Sequence, residues 1–194
     1  MEKITAVVLA AGAGKRMHSD VHKQYMMLAG CPVLFYALQA FAESAVTDIV
    51  VVVGAGEIDY CRKEIVEKYH IQKVCAVVEG GRERYHSVYE GLKAADGSDY
   101  VLIHDGARPL VTADIISRSI ACVREGDSCV VGMPVKDTIK VVGADGFAKE
   151  TPERSSLWQV QTPQTFPYGR IRKAYEKVMA QGDSAVTDDA MMLE

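Results

Sequence analysis

A chain of 194 residues that is 48% hydrophobic has the length and apolar content of one packed domain of ordinary size. Its formal net charge of −4 argues against general nucleic-acid binding, and no apolar stretch approaches the ~20 residues of a membrane-spanning helix. The N-terminus lacks the basic start and apolar core of a signal peptide, so a cytoplasmic location is expected.

The first element is an apolar, β-branched run over 4–11 without period-two polarity, which predicts a buried parallel strand. It ends in LAAGAGKRM at 9–17, with HKQY following at 22–25. Gly12 and Gly14 lack a Cβ, so this turn can adopt positive φ and bring its backbone N–H groups close to a ligand. Lys15, Arg16 and Lys23 add positive charge, and a backbone nest flanked by cations suits a polyphosphate. The loop is not a Walker A sequence, and the third glycine of a dinucleotide fingerprint falls on Met17. A triphosphate fits better. His18 and His22 stand four apart, but in a cation-rich loop without helical context, so metal ligation is not expected.

Strand-like and helical runs then alternate. Helices are predicted at 33–43, 57–69, 85–95 and 112–124, and strands at 48–53, 74–78, 100–104 and 129–133. In the second helix Ile58, Cys61, Ile65, Val66 and Tyr69 form a core-facing stripe. Thr112, with Asp114 in the first turn, is the expected N-cap of the fourth. This alternation implies a Rossmann-like α/β fold, a mostly parallel sheet with helices on both faces, whose ligands bind at the carboxyl ends of the strands.

Two strand ends carry chemistry. EGGRER at 79–84 is a second glycine turn with two arginines, and HDGARP at 104–109 follows the next strand. A carboxylate at Asp105, beside Gly106 and Arg108, is placed to bind a ribose hydroxyl or a magnesium ion. The span 134–165 breaks the alternation: DTIK, a turn at 143–146 and a return through Arg154 to Gln161 read as an extended β-hairpin arm. Cys31, Cys61, Cys75, Cys122 and Cys129 lack metal spacing and are expected to be reduced, mostly core thiols; Met26, Met27, Met191 and Met192 are expected as core filler.

LAAGAGKRM, HKQY, EGGRER, HDGARP, VKDTIK, LWQVQTPQTF and TDDA occur in an order and spacing that resembles the 2-C-methyl-D-erythritol 4-phosphate cytidylyltransferase family over essentially the whole chain. The resemblance implies a single nucleotidyltransferase domain over 1–194 that moves CMP from CTP to a polyol phosphate with Mg2+. Arg16 and Lys23 would be catalytic, and the loop of Ala11, Gly12, Ala13, Gly14 and Lys15 would bind nucleotide. Gly80, Gly81, Arg84, Ser87, Asp105 and Gly106 would complete the nucleotide site, Asp105 also facing the metal. Arg108, Thr138, Arg154 and Thr162 would bind the second substrate. The arm would join two chains as a homodimer and carry Thr138 and Arg154 into the neighbour's site.

The chain also departs from the family pattern. His22 replaces a common proline, Arg82 and Glu83 stand where acidic residues are frequent, and the family continues beyond the helix expected to open at TDDA, through a strand, a lysine-containing segment and a final helix. Ribitol-5-phosphate cytidylyltransferase is similar, but Gly106-Ala107 and Leu157-Trp158 favour the methylerythritol enzyme. Other sugar-phosphate nucleotidyltransferases and a catalytically silent nucleotide-binding module are the remaining alternatives.

Overall fold

The computed structural model describes residues 2–12, 22–126, 128–181 and 188–193. In chain order come β1 (Ile4–Ala10), the short pair β2 (Met27–Leu28) and β3 (Cys31–Pro32), α1 (Val33–Ala42), β4 (Asp48–Val53) and α2 (Ile58–Tyr60). The helix of α2 continues with wider, π-type winding over Cys61–Glu67. β5 (Val74–Glu79), α3 (Arg84–Ala94), β6 (Tyr100–Asp105), α4 (Ala113–Glu125) and β7 (Cys129–Pro134) follow. The chain then forms β8 (Val141–Val142), β9 (Ala148–Glu150), β10 (Trp158–Pro167) and α5 (Tyr168–Gln181). The predicted strands and helices are all present. Thr112 caps α4 as expected, its side chain accepting from the Ile115 N–H.

Six strands form one sheet in the order β5-β4-β1-β6-β10-β7, with β5, β4, β1 and β6 parallel. Since β1 neighbours both β4 and β6, the strand order reverses there, and the crevice beyond the ends of β1 and β6 is the topological switch point where α/β sheets bind ligands. Strand alternation splits the core in two. Ile4, Ala6, Val8 and Ala10 of β1 pack with Leu34, Leu38 and Phe41 of α1 and with Ile116 and Ile120 of α4. Val7 faces the other way, with Val88 and Leu92 of α3 and Ile171 and Tyr175 of α5.

The predicted arm is a hairpin only in part. β7 and β10 pair antiparallel from Pro134 and Trp158 inward, and β8 and β9 form a separate short pair beyond them. From Gln164 onward, however, β10 lies inside the sheet, antiparallel to β6. Its polar residues are buried there because partners satisfy them, as Ser119 does for Thr165. α5 was not foreseen, and TDDA leads into a short 3-10 turn, Ala190–Leu193, rather than a helix.

Two packing expectations fail. Cys61 is buried, but Cys75 and Cys122 are exposed, Cys75 because β5 is the edge strand. Met192 is buried, whereas Met27 is 64% exposed on the β2–β3 hairpin and Met191 is 40% exposed.

Gly91 shows how closely α3 sits on the sheet. A Cβ there would lie 2.4 Å from Val7 Cγ1 and 2.9 Å from Val52 Cγ2. Alanine is favoured over glycine inside a helix by ~1 kcal/mol, but overpacking a core costs ~1–3 kcal/mol. Gly91→Ala is therefore expected to lower the urea midpoint and the Tm; a variant as stable as wild type would show that α3 can back away from the sheet.

Candidate active site

The residues singled out in the sequence come from segments far apart in the chain. After β1, Gly12 is exposed; its φ is not positive, though glycine would permit it, and a Cβ there would meet no described atom. Ala13, Gly14, Lys15 and Arg16 lie outside the described residues. Lys23 is exposed on a single 3-10 turn, Lys23–Tyr25. Buried Gln24 ties that turn to the end of β1 by donating to the Ala10 carbonyl at 2.6 Å.

Glu57 anchors the turn from its other side. It accepts from the Tyr25 hydroxyl at 3.0 Å and the Gly54 N–H at 3.1 Å, and His22 Nδ1 lies 2.5 Å from its second oxygen. Burial, with Cys61 and Glu57 nearby, pushes the Tyr25 hydroxyl pKa up, so it remains a donor. The histidine in the family's proline position therefore ties the lysine turn to Glu57.

Packing dictates the glycines of the second turn. A Cβ on Gly80 would lie 2.6 Å from Ser87 Oγ and 2.7 Å from Ala11 Cβ, and one on Gly81 would lie 2.4 Å from His86 Cβ. The Ser87 hydroxyl accepts from the Gly81 N–H at 3.1 Å and lies 3.2 Å from the Glu83 carbonyl, so it fastens the turn to α3. Glu83 and His86 form a reciprocal capping box at the helix start. Gly106 is held against Leu34 and the Leu9 carbonyl, leaving no room for a Cβ.

Arg84, in the first turn of α3, reaches across to two carboxylates. Its two terminal nitrogens donate to the two oxygens of Asp189 at 2.8 Å each, and Nε and Nη2 lie 3.3 Å from Asp105 Oδ1. Asp189 is fully buried and also accepts from the Tyr175 hydroxyl at 2.5 Å. Gln164 Oε1 accepts from the N–H groups of Asp189 and Ala190. Burial alone would lower the Arg84 pKa, but the hydrogen bonds and charge of Asp189 hold it above its usual value.

Asp105 is gripped from its other side by Arg108, whose Nε donates to Oδ2 at 2.9 Å. Burial would raise this carboxyl, yet the charges of Arg84 and Arg108 hold it below the ordinary carboxylate range. Arg108 also donates to Gln161 Oε1. Thr162 stands behind, bonded to His104 Nδ1 at 2.9 Å and to the Asp105 N–H at 3.3 Å. Burial pushes the His104 imidazole down to about 4, against the pull of the Arg108 carbonyl and Asp105.

A pocket of about 210 Å³ is lined in part by Arg84, Asp105, Arg108, Gln161, Thr162 and Asp188, and not by Gly12, Lys23, Gly80, Gly81, Ser87 or Gly106. Thr138 and Arg154 do not line it; both are exposed on the arm, where Arg154 donates to the Lys136 carbonyl. Among the described residues no group of three metal-ligating side chains gathers. Asp189, Gln161 and Gln164 complete the site without having been singled out in the sequence. TDDA and QTPQ were visible as motifs, but their partners lie far away in the chain.

Residues 4–194 match the family described as 2-C-methyl-D-erythritol 4-phosphate cytidylyltransferase. A relative of that name from Lachnoclostridium phytofermentans is 52% identical over 194 residues, spanning 100% of this chain and 83% of its own. Another from Alkaliphilus oremlandii is 48% identical, with the same shares covered. Among solved structures, 4-diphosphocytidyl-2C-methyl-D-erythritol synthase from Anaerococcus prevotii superposes with a TM-score of 0.85 at 32% identity, over 98% of this chain and 81% of that one. The motifs, the switch-point pocket and these matches agree: this chain belongs to the 2-C-methyl-D-erythritol 4-phosphate cytidylyltransferase family.

Proposed function

We propose that the protein transfers CMP from CTP to 2-C-methyl-D-erythritol 4-phosphate, giving 4-diphosphocytidyl-2-C-methyl-D-erythritol and pyrophosphate. The observation that carries this reading, beside family membership, is a pocket at the switch point in which Asp105 is fixed between two guanidiniums. The nucleophile is the substrate's own phosphate, mostly dianionic at neutral pH because its second pKa is about 6. One of its oxygens bonds to the α-phosphorus of CTP as the bond to the bridging oxygen breaks and pyrophosphate leaves. No proton has to be removed, so the site needs position and positive charge rather than a general base.

Lys23 and Arg16 meet the charge that builds on the α-phosphate, and Ala11 to Lys15 cradle the other phosphates. The turn at Gly80 and Gly81, fastened by Ser87 and ordered by Arg84, reads the cytosine edge with backbone groups. Asp105 and Gly106 take the ribose, and Arg108 and Thr162 take the second substrate. Arg84 and Arg108 occupy both oxygens of Asp105, so a Mg2+ ion beside it would draw its ligands from phosphate oxygens and water. Bound there, the ion would neutralise phosphate charge. In a homodimer joined by the arm, Thr138 and Arg154 would reach the partner's pocket, Arg154 offering a bidentate contact to a phosphate.

A pyrophosphate-release assay tests the whole reading. Turnover is expected with CTP and 2-C-methyl-D-erythritol 4-phosphate, with ATP and ribitol 5-phosphate poor substitutes; preference for another pair would overturn the assignment.

Lys23→Ala is expected to lower kcat by about 10²–10³, the cost of losing a donor aimed at transition-state charge, with little change in the KM for CTP. A raised KM with kcat intact would place Lys23 in ground-state binding instead.

The arm is tested by mixing two inactive variants, Lys23→Ala and Arg154→Ala. If Arg154 acts across the dimer, each heterodimer has one site with Lys23 and Arg154 both intact, and activity returns. Heterodimers confirmed by native mass spectrometry but inactive would show that each site is built within one chain.

A further inference from the structure

His104, one residue before the end of β6, has its ring fully buried, and nothing in the reaction above uses it. It stands edge-on to Phe41 of α1, ring centroids 5.2 Å apart. Nε2 lies 3.2 Å from the Arg108 carbonyl oxygen and Nδ1 lies 2.9 Å from Thr162 Oγ1. Both partners are uncharged, and a ring with no exposure favours its neutral form, which carries one proton. A carbonyl oxygen only accepts, so that proton belongs on Nε2. Nδ1 is then a lone pair, and the Thr162 hydroxyl must donate to it.

The bonding capacity of Thr162 can therefore be counted. A hydroxyl has one proton and two lone pairs. The proton goes to His104, one lone pair takes the Asp105 N–H at 3.3 Å, and one lone pair is left on a side chain that lines the pocket. Arg108, on the same wall, has N–H groups suited to phosphate oxygens. A phosphate dianion is an acceptor only and gains nothing from a lone pair, whereas a hydroxyl can donate to one.

We propose that His104 is a positioning residue that holds the Thr162 hydroxyl as an acceptor only, so that this wall receives a hydroxyl of the polyol substrate and turns its phosphate away. The inference rests on the reading of this pocket as the site of the polyol phosphate. The same imidazole joins the turn that carries Arg108 to the strand that carries Thr162, so one buried ring fixes both substrate-facing groups relative to each other.

Steady-state kinetics on variants tests the inference. Thr162→Val should raise the KM for the polyol phosphate by about tenfold, the scale of one hydrogen bond, while leaving the KM for CTP unchanged. His104→Phe, which keeps an aromatic ring against Phe41 but cannot accept a proton, should raise the same KM to the same extent. His104→Asn, whose Oδ1 can stand in for Nδ1, should recover most of the loss. The double variant His104→Phe/Thr162→Val should be no worse than either single one, because both remove the same bond.

A Thr162→Val enzyme with unchanged KM would sink the reading of the pocket and the inference with it. An effect of Thr162→Val that His104→Phe does not share, or that multiplies in the double variant, would overturn the inference alone. Should His104→Phe fail to fold, the nitrogen NMR shifts of the wild-type ring decide. A protonated Nε2 beside an unprotonated Nδ1 supports the inference, and any other state overturns it.

Discussion

Arg84 is the member on which the rest of the site depends, because it sits between two carboxylates that have no other reason to be close. Asp189 has lost all contact with water, and a buried carboxylate without a partner costs far more than the marginal stability of a domain can absorb. The bidentate contact from Arg84 neutralises it, while Tyr175 and Gln164 satisfy the groups that remain. What is thereby docked is the segment 188–193, whose Asp188 lines the pocket. The same guanidinium keeps Asp105 ionised and oriented. Arg84 is thus committed to two carboxylates of the protein itself.

One strand end sets two functions through nothing more than the period of a β-strand. Leu102 packs on the α1 side and Val101 and Ile103 on the α3 side, so His104 enters the first core and Asp105 the second. Phe41 receives the imidazole, and Arg84 receives the carboxylate. A shift of one residue in the pairing of β6 with β1 would exchange them, placing a carboxylate against a phenyl ring.

The apolar strands and the helices between them were legible because their signal is local: a run of valines, or a stripe such as Ile58, Cys61 and Ile65, carries its own periodicity. Asp105 was legible for a related reason, since a carboxylate that ends an apolar strand has a place fixed by the fold. Asp189 was not, because its meaning lies in Arg84, 105 positions away. β10 defeated an apolar reading because Thr162, Gln164 and Thr165 are buried as polar groups with partners on other elements. α5 fully buries Ile171 and Tyr175 alone, and the rest of its sequence is mostly polar. The reversed expectation for Met27 has the same root, as a methionine on a two-residue strand carries no local sign of which way it faces.

The arm inverts the usual relation between composition and burial. Val142, Phe147, Trp158 and Met133 are all more than half exposed in the single chain, although side chains of this kind are ordinarily among those a fold covers. Two-stranded ribbons such as β8 and β9 are marginal in water unless they pack on something else. The arm presents these apolar residues outward and holds Arg154 away from the chain's own pocket. In the proposed homodimer a second copy of the chain would supply both the apolar cover and a pocket for that arginine, so one contact would answer the stability of the ribbon and the chemistry of the site together.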